Sequence, residues 1–281
     1  MTSLTRAERK GCVAAALVCA ITAAGIAGCG GNSQPAGTPA NITGNWVLKV
    51  SMGAAGGDRS IAAYLNSNNG IVSGNAVVYG ACPTDCVGGC CGGPFCAGFS
   101  SSLSGTIDAK GNLMLGSAVP SGGPVFSMTA TAGQGQLSNG AFTLSGSCPA
   151  QGTIAGTEYP TLAGTYSGAL TSSNSGKSFQ ITETVNQSTS LNSRGYFDVS
   201  AAADLSGYSC VTSTTEAVPL DLNSAFLGDS FDVNMNSTPG GRLYLSGTIS
   251  PDGKTMSASY QFDPPSSSCN LDYGTGTLTL Q

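Results

Sequence analysis

The sequence predicts an all-β protein, two tandem antiparallel β-barrels or sandwiches of about eight strands each behind an export signal and a flexible tether. No stretch after Ile42 repeats apolar residues at helical spacing. The short runs alternate instead, as in Trp46-Val47-Leu48-Lys49-Val50, Phe179-Gln180-Ile181-Thr182-Glu183-Thr184-Val185 and Arg242-Leu243-Tyr244-Leu245. Turn chemistry punctuates them at Asn68-Asn69-Gly70, Asp108-Ala109-Lys110-Gly111, Ser138-Asn139-Gly140 and Pro251-Asp252-Gly253-Lys254. The chain also repeats at a spacing of about 120 residues, Ile42-Thr43-Gly44-Asn45-Trp46 opening one half and Leu162-Ala163-Gly164-Thr165-Tyr166 the other.

The first element is an address. Arg6, Arg9 and Lys10 precede an apolar run from Cys12 to Gly28, the order of a secretory signal, and the run is too short and too rich in Ala and Gly to favour a permanent span. Its ending, Ile26-Ala27-Gly28-Cys29, resembles the lipobox of bacterial lipoproteins. That likeness implies cleavage of residues 1–28, acylation of Cys29 with diacylglycerol and, usually, a further palmitate-type chain on the new amino terminus. More than one chain is what stable anchoring requires. Residues 29–41 follow as acylated cysteine and linker, without charge or periodicity. Gly30 rather than Asp follows the cysteine, which in the same resemblance implies the outer membrane rather than the inner. Losing three bases and one acid with the signal takes the formal charge from −5 to −7. Such a surface leaves membrane attachment to the lipid.

The two β domains are expected at residues 42–160 and 161–281. Each half carries a cysteine after its early strands, Cys82 and Cys210. Each ends on a second cysteine and a Gly-Thr strand: Cys148 before Gly152-Thr153-Ile154, and Cys269 before Gly276-Thr277-Leu278. Ser104-Gly105-Thr106-Ile107 also matches Ser246-Gly247-Thr248-Ile249, in a different register. Eight strands close a small barrel around side chains or one small ligand.

Of 11 cysteines, Cys12 and Cys19 leave with the signal and Cys29 takes lipid. The eight that remain in an exported chain point to disulfides. The repeat pairs Cys210 with Cys269 and, by analogy, Cys82 with Cys148. Cys86, Cys90, Cys91 and Cys96 complete an insertion at 82–96 that the second half lacks. Thiolates so placed suit a soft metal, but a core-poor loop in an oxidising compartment favours local disulfides. No metal or other cofactor is therefore expected.

These residues carry a wider resemblance. The apolar-x-Gly-x-Trp opening, one mid-chain cysteine, the strand Asp-Gly-Lys-Thr-Met-Ser-Ala-Ser-Tyr at 252–260 and a late cysteine before Gly-Thr-x-Thr resemble β-rich lipoproteins of unknown function of the Acidobacteria type. The Gly-x-Trp start followed by a meander also resembles the lipocalin and avidin (calycin) barrels. That second likeness implies that Trp46 and Tyr166 close barrel ends rather than touch ligand.

Chemistry is bounded mainly by what is missing. With no histidine, Ser-His-Asp, Cys-His and His-zinc sites cannot be assembled within the chain. An acidic balance argues against nucleic acid. No Gly-x-Ser-x-Gly turn appears, and Asp221 with Asn223 lacks the rest of a calcium loop. Four glutamates, Glu8, Glu158, Glu183 and Glu216, and eleven aspartates are the only acid-base candidates. Glu183 and Asp232 are expected to face solvent, and Asp108 and Asp252 to serve their turns. The expected function is a non-catalytic structural or interaction module, bound to the membrane through Cys29 and meeting an envelope protein. The alternatives are a carrier of a small apolar ligand inside a barrel and, third, a carboxylate-based hydrolase marked by facing acids in a cleft. The aromatics Trp46, Phe126, Phe142, Tyr166, Phe197 and Phe226 discriminate: packed, they fill the barrels; splayed, they line a pocket.

Overall fold

A computed structural model describes residues 37–52, 58–79, 100–117, 125–145, 149–208, 213–214, 224–238, 241–264 and 270–281. Among them are strands and no helix, as alternating runs and frequent turns demand. The first eight are β1 (Gly44–Ser51), β2 (Asp58–Asn68), β3 (Ile71–Tyr79), β4 (Ser100–Ile107), β5 (Asn112–Ser117), β6 (Phe126–Gly133), β7 (Gln136–Leu144) and β8 (Ala150–Tyr159). Each pairs antiparallel with the next, and β8 returns to β1 with Thr157 opposite Val47, closing the barrel. Closure leaves no unpaired edge.

The second barrel runs through β9 (Ala163–Ser172), β10 (Ser178–Leu191), β11 (Phe197–Ser206), β12 (Ser213–Thr214), β13 (Ala225–Leu227), β14 (Ser230–Thr238), β15 (Arg242–Ile249), β16 (Thr255–Asp263) and β17 (Asp272–Leu280). It closes through β17 on β9 and β10 on β11. The two shortest strands share one stave between β11 and β14. Ser224 bridges beside them: its Oγ accepts from the Asn234 amide at 3.1 Å and its carbonyl accepts from the Val199 amide at 3.3 Å. Both barrels therefore have eight staves.

Three of the four expected turns are hairpin turns, and one is not. Asn69 and Gly70 both take positive φ, 51° and 83°, between β2 and β3, the paired left-handed residues of a tight hairpin. Ser138-Asn139-Gly140 instead lies inside β7. The pairing with β8 shifts between Leu137 and Gly140, and Asn139 at φ 51° forms the irregularity. The actual reversal is Gln134-Gly135, at φ 42° and 73°. A left-handed Asn serves a bulge as well as a turn, so the triplet alone does not say which.

The duplication is resolved by position. Trp46 and Tyr166 lie on the first strand of their barrels, and Gly152-Thr153-Ile154 and Gly276-Thr277-Leu278 on the last. Ser104-Gly105-Thr106-Ile107 belongs to β4 but Ser246-Gly247-Thr248-Ile249 to β15, sixth stave of the second barrel, so that match is not between equivalent strands.

Residues Ala36–Gln281 form one compact unit. On β1 alternation fails: Trp46, Val47 and Leu48 are all buried. Val47 and Ala62 point out of the first barrel, and a Cβ placed on Gly228, in the β13–β14 turn, would meet their side chains at 3.0 and 2.9 Å. Ala62 and Val77 belong to the second barrel's apolar cluster, and Tyr64 meets Phe197 edge-on with ring centroids 5.1 Å apart. The outer face of β1–β3 is thus the floor on which the second barrel stands.

Candidate functional site

The barrel interiors are occupied by their own side chains. Trp46, Phe142, Tyr166, Phe197 and Phe226 are buried, and half-buried Phe126 stacks on Phe142 at 6.2 Å. The Trp46 indole N–H donates to the Ile42 carbonyl at 2.9 Å, and the Tyr166 hydroxyl donates to the Gly253 carbonyl at 2.8 Å. Each satisfies its one polar group at a strand-end loop while its ring fills the core.

Glu183 overturns its expected exposure. It is 0% exposed, on the inward face of β10 between Ile181 and Val185, opposite Tyr166 on β9 and Ala203 on β11. Neither carboxylate oxygen has a hydrogen-bond partner. Burial pushes its carboxyl up to about 7, because an ionised carboxylate loses its hydration there without compensation.

Other acids are accounted for locally. Asp108 accepts from the amides of Lys110 and Asn112 at 2.8 and 2.9 Å and from the Asn112 side chain at 2.7 Å. Asp252 accepts from Ser250 Oγ at 2.6 Å and the Lys254 amide at 3.1 Å. Those hydrogen bonds hold both carboxyls below the ordinary aspartate value. Buried Asp272 accepts from Ser172 Oγ at 2.7 Å and Tyr260 Oη at 2.8 Å, and Tyr208 also bonds to it. This is a satisfied polar knot at the end of the second barrel away from the first. Glu158 is partly buried on β8, which raises its carboxyl.

Among the described residues a recess lies elsewhere, on the outer face of the second barrel, with a volume of about 1100 Å³. Strand register builds its floor. Asn234, Tyr244, Gln261 and Tyr273 stand directly opposite one another across β14–β17, forming one row. Beside it runs a second row, Asp198, Ala225, Asp232, Ser246 and Ser259 across β11, β13, β14, β15 and β16. The β10–β11 hairpin, with Asn192, Arg194 and Tyr196, contributes lining at one side, and Asp263 lies at the end of β16. Asp198 accepts from Asn192 Nδ2 at 2.8 Å and Asp263 from Gln261 Nε2 at 2.9 Å. Asp232 is exposed, as expected, yet its surroundings remove enough water to raise its carboxyl.

None of the groove's tyrosines is prominent in the sequence. Tyr244 and Tyr273 each occupy the outward slot of an alternating strand, where polar residues are the rule, and that misplacement of an aromatic is the available signal. Cys29 and the cysteines 82, 86, 90, 91, 96, 148, 210 and 269 lie outside the described residues, as do Glu8, Glu216 and Asp221. Among the described residues no group of three His, Cys, Asp or Glu is placed to hold a metal ion.

Fold and groove together define an all-β tandem-barrel protein with a recess on an outer sheet face. No family model matches the chain, and no curated protein matches it. Among solved structures it is similar to kievitone hydratase from Nectria haematococca, at 10% identity and a TM-score of 0.26, over 89% of this chain and 95% of that one. A likeness that loose carries no argument about activity.

Proposed function

We propose that the protein is an exported lipoprotein, acylated on Cys29 and held at the cell envelope, whose tandem barrels serve as a non-catalytic interaction module. The observation that carries this reading is the contrast between barrel interiors occupied by large side chains and a groove of about 1100 Å³ on the outer face. An interior carrier needs a hollow, and the aromatics expected to reveal one, all but half-buried Phe126, are buried in the apolar cores instead. Asn41, the last residue of the expected linker, is held to the first barrel, its Oδ1 accepting from Ser67 Oγ at 2.9 Å, so any tether to the lipid is shorter than residues 29–41. The eight remaining cysteines stabilise the exported fold as disulfides, Cys82 with Cys148 and Cys210 with Cys269 among them.

Fractionation tests the anchor. Wild-type protein is expected in the membrane fraction with incorporated palmitate, and Cys29→Ala in the soluble fraction without it. Native mass spectrometry of the envelope-extracted protein tests the module: the native and denatured masses should agree, with no thiol open to alkylation. An apolar mass lost on denaturation would replace this reading with that of a carrier.

One observation favours a second reading, a carboxylate-based hydrolase. Asp198 and Asp232 share the groove two staves apart, roughly 10 Å between backbones at ordinary strand spacing. An inverting glycosidase needs its two carboxyl groups roughly 6.5–9.5 Å apart, and in such a pair Asp232, whose carboxyl is raised, would be the acid. Product analysis after incubation with oligosaccharides, compared with Asp232→Asn, separates an enzyme from a binder.

A further inference from the structure

We infer that the groove on the second barrel takes an extended, β-linked oligosaccharide that is uncharged or cationic, bound across β14–β17 along the row that holds Tyr244 and Tyr273. The inference rests on the interaction-module reading and names its ligand class. Three features converge on it.

The first is the row itself. Tyr244 and Tyr273 are separated by one strand, so their backbones lie roughly 10 Å apart at ordinary inter-strand spacing. In β-linked hexopyranose chains alternate units present the same face, and the repeat over two units is of that order. The two tyrosines therefore leave the sheet at a spacing that matches units i and i+2 of one chain. Tyr273 is 51% exposed and Tyr244 half-buried, so neither is consumed by the core.

The second is the chemistry between and beside the rings. Exposed Gln261 stands between the tyrosines; its amide nitrogen donates to Asp263 at 2.9 Å, and its oxygen can accept as a sugar hydroxyl donates. The parallel row offers Asp232, Ser246 and Ser259 along the same direction. A purely apolar ligand would desolvate the exposed Asp232 carboxylate and the exposed Ser259 hydroxyl without offering them a hydrogen bond.

The third is charge. Asp198, Asp232 and Asp263 line the groove against Arg194 alone among its lining cations. An acidic glycan would be repelled there; a neutral or amine-bearing one would not.

Calorimetric titration of the detergent-solubilised full-length protein with cellohexaose, chitohexaose and polygalacturonate tests the inference. At least one neutral hexasaccharide should bind and polygalacturonate should not. Tyr244→Ala and Tyr273→Ala should each weaken binding roughly tenfold, while Tyr244→Phe, which keeps the ring, stays within about twofold of wild type. Circular dichroism of each variant separates lost binding from lost fold. A null titration with both hexasaccharides, or unchanged affinity in both alanine variants, overturns the glycan inference and leaves the interaction-module reading standing. Binding accompanied by shortened saccharide supports the glycan and overturns the non-catalytic reading instead.

Discussion

Glu183 shows what one residue does to a packed interior. Its carboxyl titrates near 7 in the folded chain but near the ordinary 4.5 when unfolded. Between those values the folded state holds a proton the unfolded state has released, so stability falls as pH rises through that window and levels off above it. The difference amounts to about 3 kcal/mol between pH 4 and pH 8. Glu183→Gln, which cannot ionise, should raise the urea midpoint markedly at pH 8 and much less at pH 4.5. An equal change at both pH values would mean that the carboxylate is not desolvated. The inward position was legible: Glu183 shares its parity with Phe179, Ile181 and Val185, and period two places all four on one face. Charge suggested solvent, parity said core, and closure of the barrel enforced parity.

Hairpins and bulges are decided over a few residues. Gly70 has φ 83°, and an added Cβ would lie 3.0 Å from the Ile107 carbonyl. Gly70→Ala should therefore lower stability by about 1–2 kcal/mol, combining left-handed strain with crowding, and thermal melting of the variant checks it. No change in melting temperature would show that the turn relaxes freely. Three of the four turn signals were read correctly because their chemistry is local, as the side-chain caps of Asp108 and Asp252 illustrate. Ser138-Asn139-Gly140 was misread for the complementary reason. Whether a positive-φ Asn reverses the chain or only shifts its register depends on what β8 presents across from it.

At the scale of the whole molecule, the barrels are joined by apolar residues that belong to one barrel's strands and the other's core. Ala62 is 1% exposed although it points away from its own barrel's interior. A shared core predicts one cooperative thermal transition for the two barrels. Ala62→Asp places an unpaired carboxylate in that joint, with a penalty of about 2–5 kcal/mol. Scanning calorimetry should then show the single transition split into two, or shifted well below wild type. A wild-type trace already resolved into two transitions would contradict the shared core.

Alternation and turn chemistry by themselves determined the all-β class, the duplication and the first strand of each barrel. These are properties of residues one or two positions apart, and period two carries them without knowledge of partners. Burial of Val47 and Ala62 was invisible, because what covers an outward residue comes from Gly228, more than 150 positions later. The groove was hidden for the same reason. Asn234, Tyr244, Gln261 and Tyr273 are unremarkable apart and form a row only when four strands settle into register. Tertiary structure decided that row, since register is fixed by the inward residues packing behind it, not by the outward ones that compose it.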